Sequence, residues 1–158
     1  ELIRQFAAER NVLVGAGTVL DVKEAEACIQ AGAKFVVSPV SAQHILPLCK
    51  EANVLCILSG LTPTEIYTAW KLGSAAVKVF PAHSMGGPRY LRSLKSVFPY
   101  IPLVPTGGVN LNNIADYFQA GASFVGVGTD LVNDSLLEQD PASFSELARQ
   151  YLQMTVQQ

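Results

Sequence analysis

The chain has 158 residues, 49% of them hydrophobic and 15% charged, with a formal net charge of −2. That is enough apolar material for one sizeable core and excludes a disordered chain. Without any run of like charge, it also leaves no electrostatic footprint for nucleic acid or an anionic membrane.

The N-terminal stretch ELIRQFAAER reads as a helix over residues 1 to about 10 and lacks the basic, apolar, small-residue order of a signal peptide. No apolar run is long enough to span a bilayer, so the expected setting is reduced and cytoplasmic. Six short runs rich in Val, Ile, Leu and Phe then follow: VLVGAGTV, FVVSP, VLCILSG, AAVKVFP, PLVPTGG and FVGVGTDL. They alternate with longer stretches of helical period, the pattern of parallel strands joined by crossover helices. Helix starts are predicted at Asp21 with Glu24, Ser41, Thr62 with Pro63 and Glu65, Asn110, and Asp140 with Pro141. Three versions of one phrase (QAGAKFVVS, KLGSAAVKV, QAGASFVGV) place Gly32, Gly73 and Gly121 where a helix turns out into the next strand.

An open doubly wound sheet and a closed (β/α)8 barrel are both built from such units. The open sheet lacks support from a Gly-x-Gly-x-x-Gly turn. The barrel gains support from the strand ends, which carry Gly17-Thr18, Ser38-Pro39, Ser59-Gly60, Lys78, Thr106-Gly107-Gly108 and Gly128-Thr129. The C-terminal end of the strands is where a barrel keeps its active site. The fold class expected is α/β, a TIM barrel, formed as a single domain over residues 1–158. Eight strands need roughly 250 residues, and six units are legible here, so the first two strands are expected to lie upstream of Glu1.

AAVKVFP sets one charge in an apolar strand. Alternation sends Val77 and Val79 to one face and Lys78 with Phe80 to the other, and the helix side takes the valines. Lys78 then points into the barrel, where desolvation lowers its pKa and leaves free amine to attack a carbonyl and form a Schiff base. A structural lysine paired with an interior carboxylate is the competing reading. PTGGV and GVGTD end the next two strands, the usual phosphate position of a barrel. Gly107 and Gly108 offer backbone N–H groups to an anion, with Asn110 expected to start a helix behind them; tight turning alone is the plainer alternative.

The stretch GSAAVKVFPAHSMGG, together with GAGTV, SGLTPTE and PTGGV, resembles the 2-keto-3-deoxy-6-phosphogluconate (KDPG) aldolase family, which includes 4-hydroxy-2-oxoglutarate aldolase. The resemblance implies a metal-independent class I aldolase on a TIM barrel, needing no cofactor, usually a trimer, that cleaves a phosphorylated 2-keto-3-deoxy acid to pyruvate and glyceraldehyde 3-phosphate. By position it makes Lys78 the Schiff-base lysine, in a strand that ends Phe80-Pro81. It puts Thr18 against the pyruvate portion and Thr106, Gly107 and Gly108 with Gly128 and Thr129 at the phosphate end. Thr129 is favoured over Asp130 there because a carboxylate repels phosphate.

The departures are as informative. The family's general base is a glutamate on the second strand, in a Glu-Val-Thr-like segment that does not occur here. Glu24, Glu26, Glu51 and Glu65 are all expected on outer helices, so the base is expected upstream of Glu1 and the chain as given is expected to be inactive in turnover. Ser59 stands where relatives often have proline. His83 stands where many have Glu or Ser, and reads as a proton relay or a solvated bystander. Arg89, Arg92 and Lys95 read as a solvated basic face, with phosphate capture by Arg89 as the alternative. Cys28, Cys49 and Cys56 read as small buried hydrophobes, and with only His44 and His83 beside them no zinc site is expected. Ile66, Tyr67, Trp70, Tyr117 and Phe118 read as core or subunit contact. A non-catalytic phosphate-binding barrel is the alternative to the enzyme, with a metal-dependent aldolase or a phosphosugar isomerase third.

Overall fold

In the computed structural model the described residues are 1–132 and 141–156, the side chains of 141 and 156 excepted. They fall into two compact units, Glu1–Val79 and Phe80–Gln158.

The first unit alternates helix and strand: α1 (Leu2–Ala7), β1 (Gly15–Ala16), α2 (Val22–Gln30), β2 (Phe35–Val37), a 3-10 turn (Gln43–Ile45), α3 (Leu46–Glu51), β3 (Leu55–Ser59), α4 (Pro63–Lys71) and β4 (Ala76–Val79). The strands pair in chain order and all in parallel: Gly15 with Phe35, Phe35 with Leu55, Ile57 with Ala76 and Ser59 with Lys78. Parallel pairing needs a covering layer of helices, and the fully buried side chains Val36, Ile45, Leu58, Ile66, Val77 and Val79 come from both layers. The second unit holds another 3-10 turn (His83–Met85), α5 (Pro88–Val97), β5 (Leu103–Pro105), α6 (Ile114–Gln119) and α7 (Pro141–Val156). Leu91, Leu94, Ile101, Leu103, Ile114 and Tyr117 form its interior. The sixth apolar run contributes a single parallel bridge, Thr106 to Gly126, and its Phe124 is exposed.

The helix punctuation follows the sequence closely at the C-terminal ends. Gly32, Gly73 and Gly121 have φ of +104°, +101° and +96°, and each closes the same pair of hydrogen bonds. The glycine N–H reaches back to Ile29, Trp70 or Phe118, and the N–H after it reaches Cys28, Ala69 or Tyr117. This is the Schellman arrangement, which satisfies carbonyls that a helix end leaves without partners. A fourth copy is hidden in EANVLC: Asn53 at φ 54° donates to Lys50, and Val54 donates to Cys49. Asparagine is among the few non-glycine residues that take this conformation, which is why the phrase escapes a search for glycine.

At the N-terminal ends two expectations hold and two are corrected. Asp21 caps α2 through Glu24 N–H at 2.9 Å, and Thr62 and Glu65 form a reciprocal capping box on α4. Ser41 caps nothing; its hydroxyl is taken by the carbonyl of Ser59 at 2.8 Å, and α3 starts later, after the 3-10 turn. Asn110 does not start α6 either. Its side chain accepts from Asn112 N–H at 3.0 Å, a local Asx turn that competes with helix, and α6 begins only after Asn113. The Asp140 start lies outside the described residues.

The left-handed position at residue 53 gives a direct test. Asn53→Val is expected to lower stability by about 1–2 kcal/mol, while Asn53→Gly leaves it unchanged or slightly raised, both read from urea denaturation midpoints.

Candidate active site

β4 fixes a lysine by burying its neighbours. Ala76, Val77 and Val79 are buried and Lys78 is half-buried. Loss of hydration penalises the ammonium, and burial holds the Lys78 pKa below the ordinary lysine value. The backbone beneath it is held from the adjacent strand. The Lys78 carbonyl accepts two hydrogen bonds, from Ser59 Oγ at 2.9 Å and from Gly60 N–H at 3.0 Å. Ser59 is itself buried, and its carbonyl accepts from the Ser41 hydroxyl at 2.8 Å, so two donors tie the end of β3 to the lysine and a third braces Ser59. Gly60 has a second reason to be glycine: a Cβ there would stand 2.6 Å from the N–H nitrogen of Ile66 and 2.8 Å from the carbonyl carbon of Glu65. The first turn of α4 is packed straight onto the strand end.

Thr18 lies past the end of β1 with its side chain exposed, and the following Val19 N–H donates to Val37 at 3.1 Å. Strands β2 and β3 intervene between β1 and β4, so pairing does not make Thr18 and Lys78 neighbours. The four carboxylates predicted on outer helices are there, in α2, α3 and α4. Three of them have local duties: Glu24 accepts from Leu20 N–H, Glu26 from the Gln30 amide and Glu65 from Leu61 and Thr62 N–H. Those backbone bonds hold the Glu65 pKa below the usual carboxylate value.

In the second unit the residues following the lysine strand gather on the glycine turn. Ala82 N–H donates to Thr106 at 2.9 Å and His83 N–H to Gly107 at 3.2 Å. Side chains pack to match. A Cβ on Gly107 would meet the Phe80 ring at 3.2 Å and Pro81 Cα at 3.5 Å, and one on Gly108 would meet His83 Cβ at 2.5 Å. Both glycines also have positive φ, +88° and +77°, so the backbone calls for glycine at each and the close approach of His83 adds a second reason at Gly108. Phe80, Pro81, Thr106, Gly107 and Gly108 are therefore brought together within the second unit. Gly128 and Thr129 follow two residues after Gly126, which bridges Thr106; both are exposed, and a Cβ at 128 would touch nothing within 4 Å.

The family model described as KDPG and KHG aldolase matches residues 1–146. The chain belongs to the KDPG and KHG aldolase family. It is 35% identical over 153 residues to the 2-dehydro-3-deoxy-phosphogluconate aldolase of Pseudomonas aeruginosa, covering 96% of this chain and 70% of that one. Among solved structures it is similar to one described as native KDPGal, with a TM-score of 0.88 at 28% identity over 98% of this chain and 75% of the other. It is also similar to the KDPG aldolase of Legionella pneumophila with pyruvate captured at low pH as a covalent carbinolamine intermediate, with a TM-score of 0.80 at 25% identity over 94% and 71% of the two chains. Three further relatives, 33–42% identical, are spanned over 54–59% of their own length.

Against this KDPG and KHG aldolase background, two residues gain roles that the sequence did not reveal. Ser59 supplies a hydroxyl to the Lys78 carbonyl. Lys95, read as part of a solvated basic face, instead donates its ammonium to the carbonyls of Pro99 at 2.8 Å and Ile101 at 3.0 Å, closing the end of α5, and partial burial lowers its pKa. The signal was present in the spacing, since a lysine in the last turn of a helix commonly serves the orphan carbonyls there. Arg89 and Arg92 are exposed as expected. Cys49 and Cys56 are buried, and burial pushes the Cys56 thiol up to about 12, which makes it a poor nucleophile; Cys28 is only partly buried.

The tie beneath the lysine is measurable. Ser59→Ala removes one of two donors to the Lys78 carbonyl and is expected to cost about 1 kcal/mol of stability, read from urea denaturation. Ser59→Pro, which also removes the backbone donor to Val40, is expected to cost more in the same measurement.

Proposed function

We propose that the protein is a class I aldolase acting on a phosphorylated 2-keto-3-deoxy acid, with Lys78 as the Schiff-base lysine. The observation that carries this reading is Lys78 itself, desolvated on β4 within the phrase that resembles the family's lysine strand. The covalent pyruvate carbinolamine in the Legionella relative supports the same chemistry. No helix among the described residues is long and apolar enough to cross a membrane, and a cytoplasmic homo-oligomer is the setting we infer.

The chemistry follows from the amine. The Lys78 Nζ lone pair adds to C2 of the keto acid, giving a carbinolamine that loses water to an iminium. A base takes the C4 hydroxyl proton, the C3–C4 bond breaks, C4 leaves as the aldehyde, and the bonding pair flows through C3 and C2 to the iminium nitrogen as an enamine. Protonation at C3 and hydrolysis release pyruvate and restore the amine. Thr18 is assigned to the pyruvate portion. The backbone at Gly107 and Gly108 and the Thr129 hydroxyl are assigned to the phosphate, where backbone donors suit an anion. With α6 starting beyond Asn113, the phosphate reading rests on the turn and not on a helix start at Asn110. Glu24, Glu26, Glu51 and Glu65 are not candidates for the base, since each stands on an outer helix.

The test is reductive trapping. Pyruvate with cyanoborohydride at neutral pH is expected to leave a carboxyethyl group on Lys78, located by peptide mass spectrometry, and Lys78→Met is expected to abolish it. An adduct spread over surface lysines and unchanged in Lys78→Met would refute the assignment.

A further inference from the structure

We infer that His83 is a recognition residue for the phosphoryl group, its imidazole N–H donating to a phosphoryl oxygen held at the Gly107–Gly108 turn. This rests on the reading of that turn as the phosphate end of the site, and it adds a side chain that the reading did not contain.

The turn is stripped of acceptors. The carbonyl of Thr106 is taken by Ala82 N–H at 2.9 Å and that of Gly107 by His83 N–H at 3.2 Å. The carbonyl of Gly108 is taken by the Asn113 side-chain amide at 2.8 Å. Asn113 Oδ1 in turn accepts from Asn110 N–H at 2.9 Å, so one side chain braces both sides of the turn. Three successive carbonyl dipoles are thereby occupied, while the Gly108 N–H has no acceptor among the described residues. A turn that presents donors and hides acceptors is suited to an anion.

His83 stands at that edge by construction. Its own N–H anchors it to Gly107, and its side chain fills the volume a Cβ at 108 would need. Ring atoms Cγ and Nδ1 lie 3.0 and 3.6 Å from that point. Both His83 and Gly108 are exposed, so whatever approaches the Gly108 N–H from solvent also approaches the ring. The ring is thus fitted against the place a Cβ on Gly108 would take, beside a backbone N–H that has no acceptor among the described residues. Either imidazole tautomer carries one N–H donor, and a hydrogen bond to a charged oxygen is among the stronger kinds. Asn113 is the positioning residue of the pair: it holds the turn and does not touch the ligand.

The experiment titrates glycerol 3-phosphate, with glycerol as the uncharged control, into the 158-residue protein and follows the imidazole resonances by NMR. The His83 ring signals are expected to shift with glycerol 3-phosphate and not with glycerol. His83→Ala is expected to weaken the dissociation constant by about 10- to 100-fold, the range of a hydrogen bond to a charged group, while His83→Gln, which keeps an N–H donor, recovers at least part of the loss. Circular dichroism and melting confirm that each variant is folded, and if His83→Ala is not, His83→Gln and the wild-type ring shifts decide alone. Equal affinity in wild type and folded variants, or an unmoved His83 ring at saturation, overturns the inference. No binding to wild type overturns it too, together with the phosphate assignment of the turn. Trapping of pyruvate on Lys78 in the wild-type protein is a separate measurement, so the aldolase reading can fail while phosphate recognition by His83 stands, and the reverse.

Discussion

Everything at the candidate centre depends on the alternation of side chains in β4. Val77 and Val79 are 0% and 1% exposed, and once two valines bracketing a lysine are committed to the helix layer, the lysine has only the other face available. The hydrophobic term at stake is about 1.5–3 kcal/mol for each fully buried valine, enough to hold the strand in register against the lysine's preference for water. Partial desolvation of the amine is the by-product of that register, and it is the property an amine nucleophile needs. Packing and desolvation of the amine have one cause.

The neighbouring strand makes the placement rigid. Two donors converge on the Lys78 carbonyl, one from the Ser59 hydroxyl and one from the Gly60 backbone, and Gly60 is held down by the first turn of α4, which allows no Cβ beneath it. That turn is itself pinned by the Thr62–Glu65 capping box. Glu65 is ionised in that arrangement, with its pKa lowered by the backbone bonds it accepts. Its contribution to stability is present above the ordinary carboxylate pKa and is lost as pH falls through the lowered value. A helix cap thereby bears on the lysine through three residues of chain.

Much of this is legible in the sequence. Lys78 in AAVKVFP, the capping box at Thr62, the paired glycines at 107 and 108 and the three helix-ending glycines are all signals of local chemistry, and local chemistry survives folding. What escaped was non-local. Nothing in the spacing says that the Ser41 hydroxyl is taken by Ser59, 18 residues away, so a helix cap was expected there. Asn110 has the composition of a helix start, but its side chain prefers its own backbone and delays α6. The contact between His83 and Gly108 is equally non-local: the two are 25 positions apart, and Gly108 has no side chain to advertise it. The FVGVGTDL run reads as a strand by composition, yet only one bridge forms, at a glycine whose Cβ would stand 2.5 Å from Thr106 Oγ1.

The central claim is that burial makes Lys78 an amine more readily than an ordinary lysine. The most direct measurement is the titration of its side chain, followed by the Cε resonance of labelled lysine assigned with Lys78→Met. The account requires a midpoint below the ordinary value of 10.5, so that the free-amine fraction rises at lower pH than in solvent-exposed lysines. A midpoint at or above 10.5 would mean that the ammonium is stabilised in place, and the nucleophile assignment would fall with it.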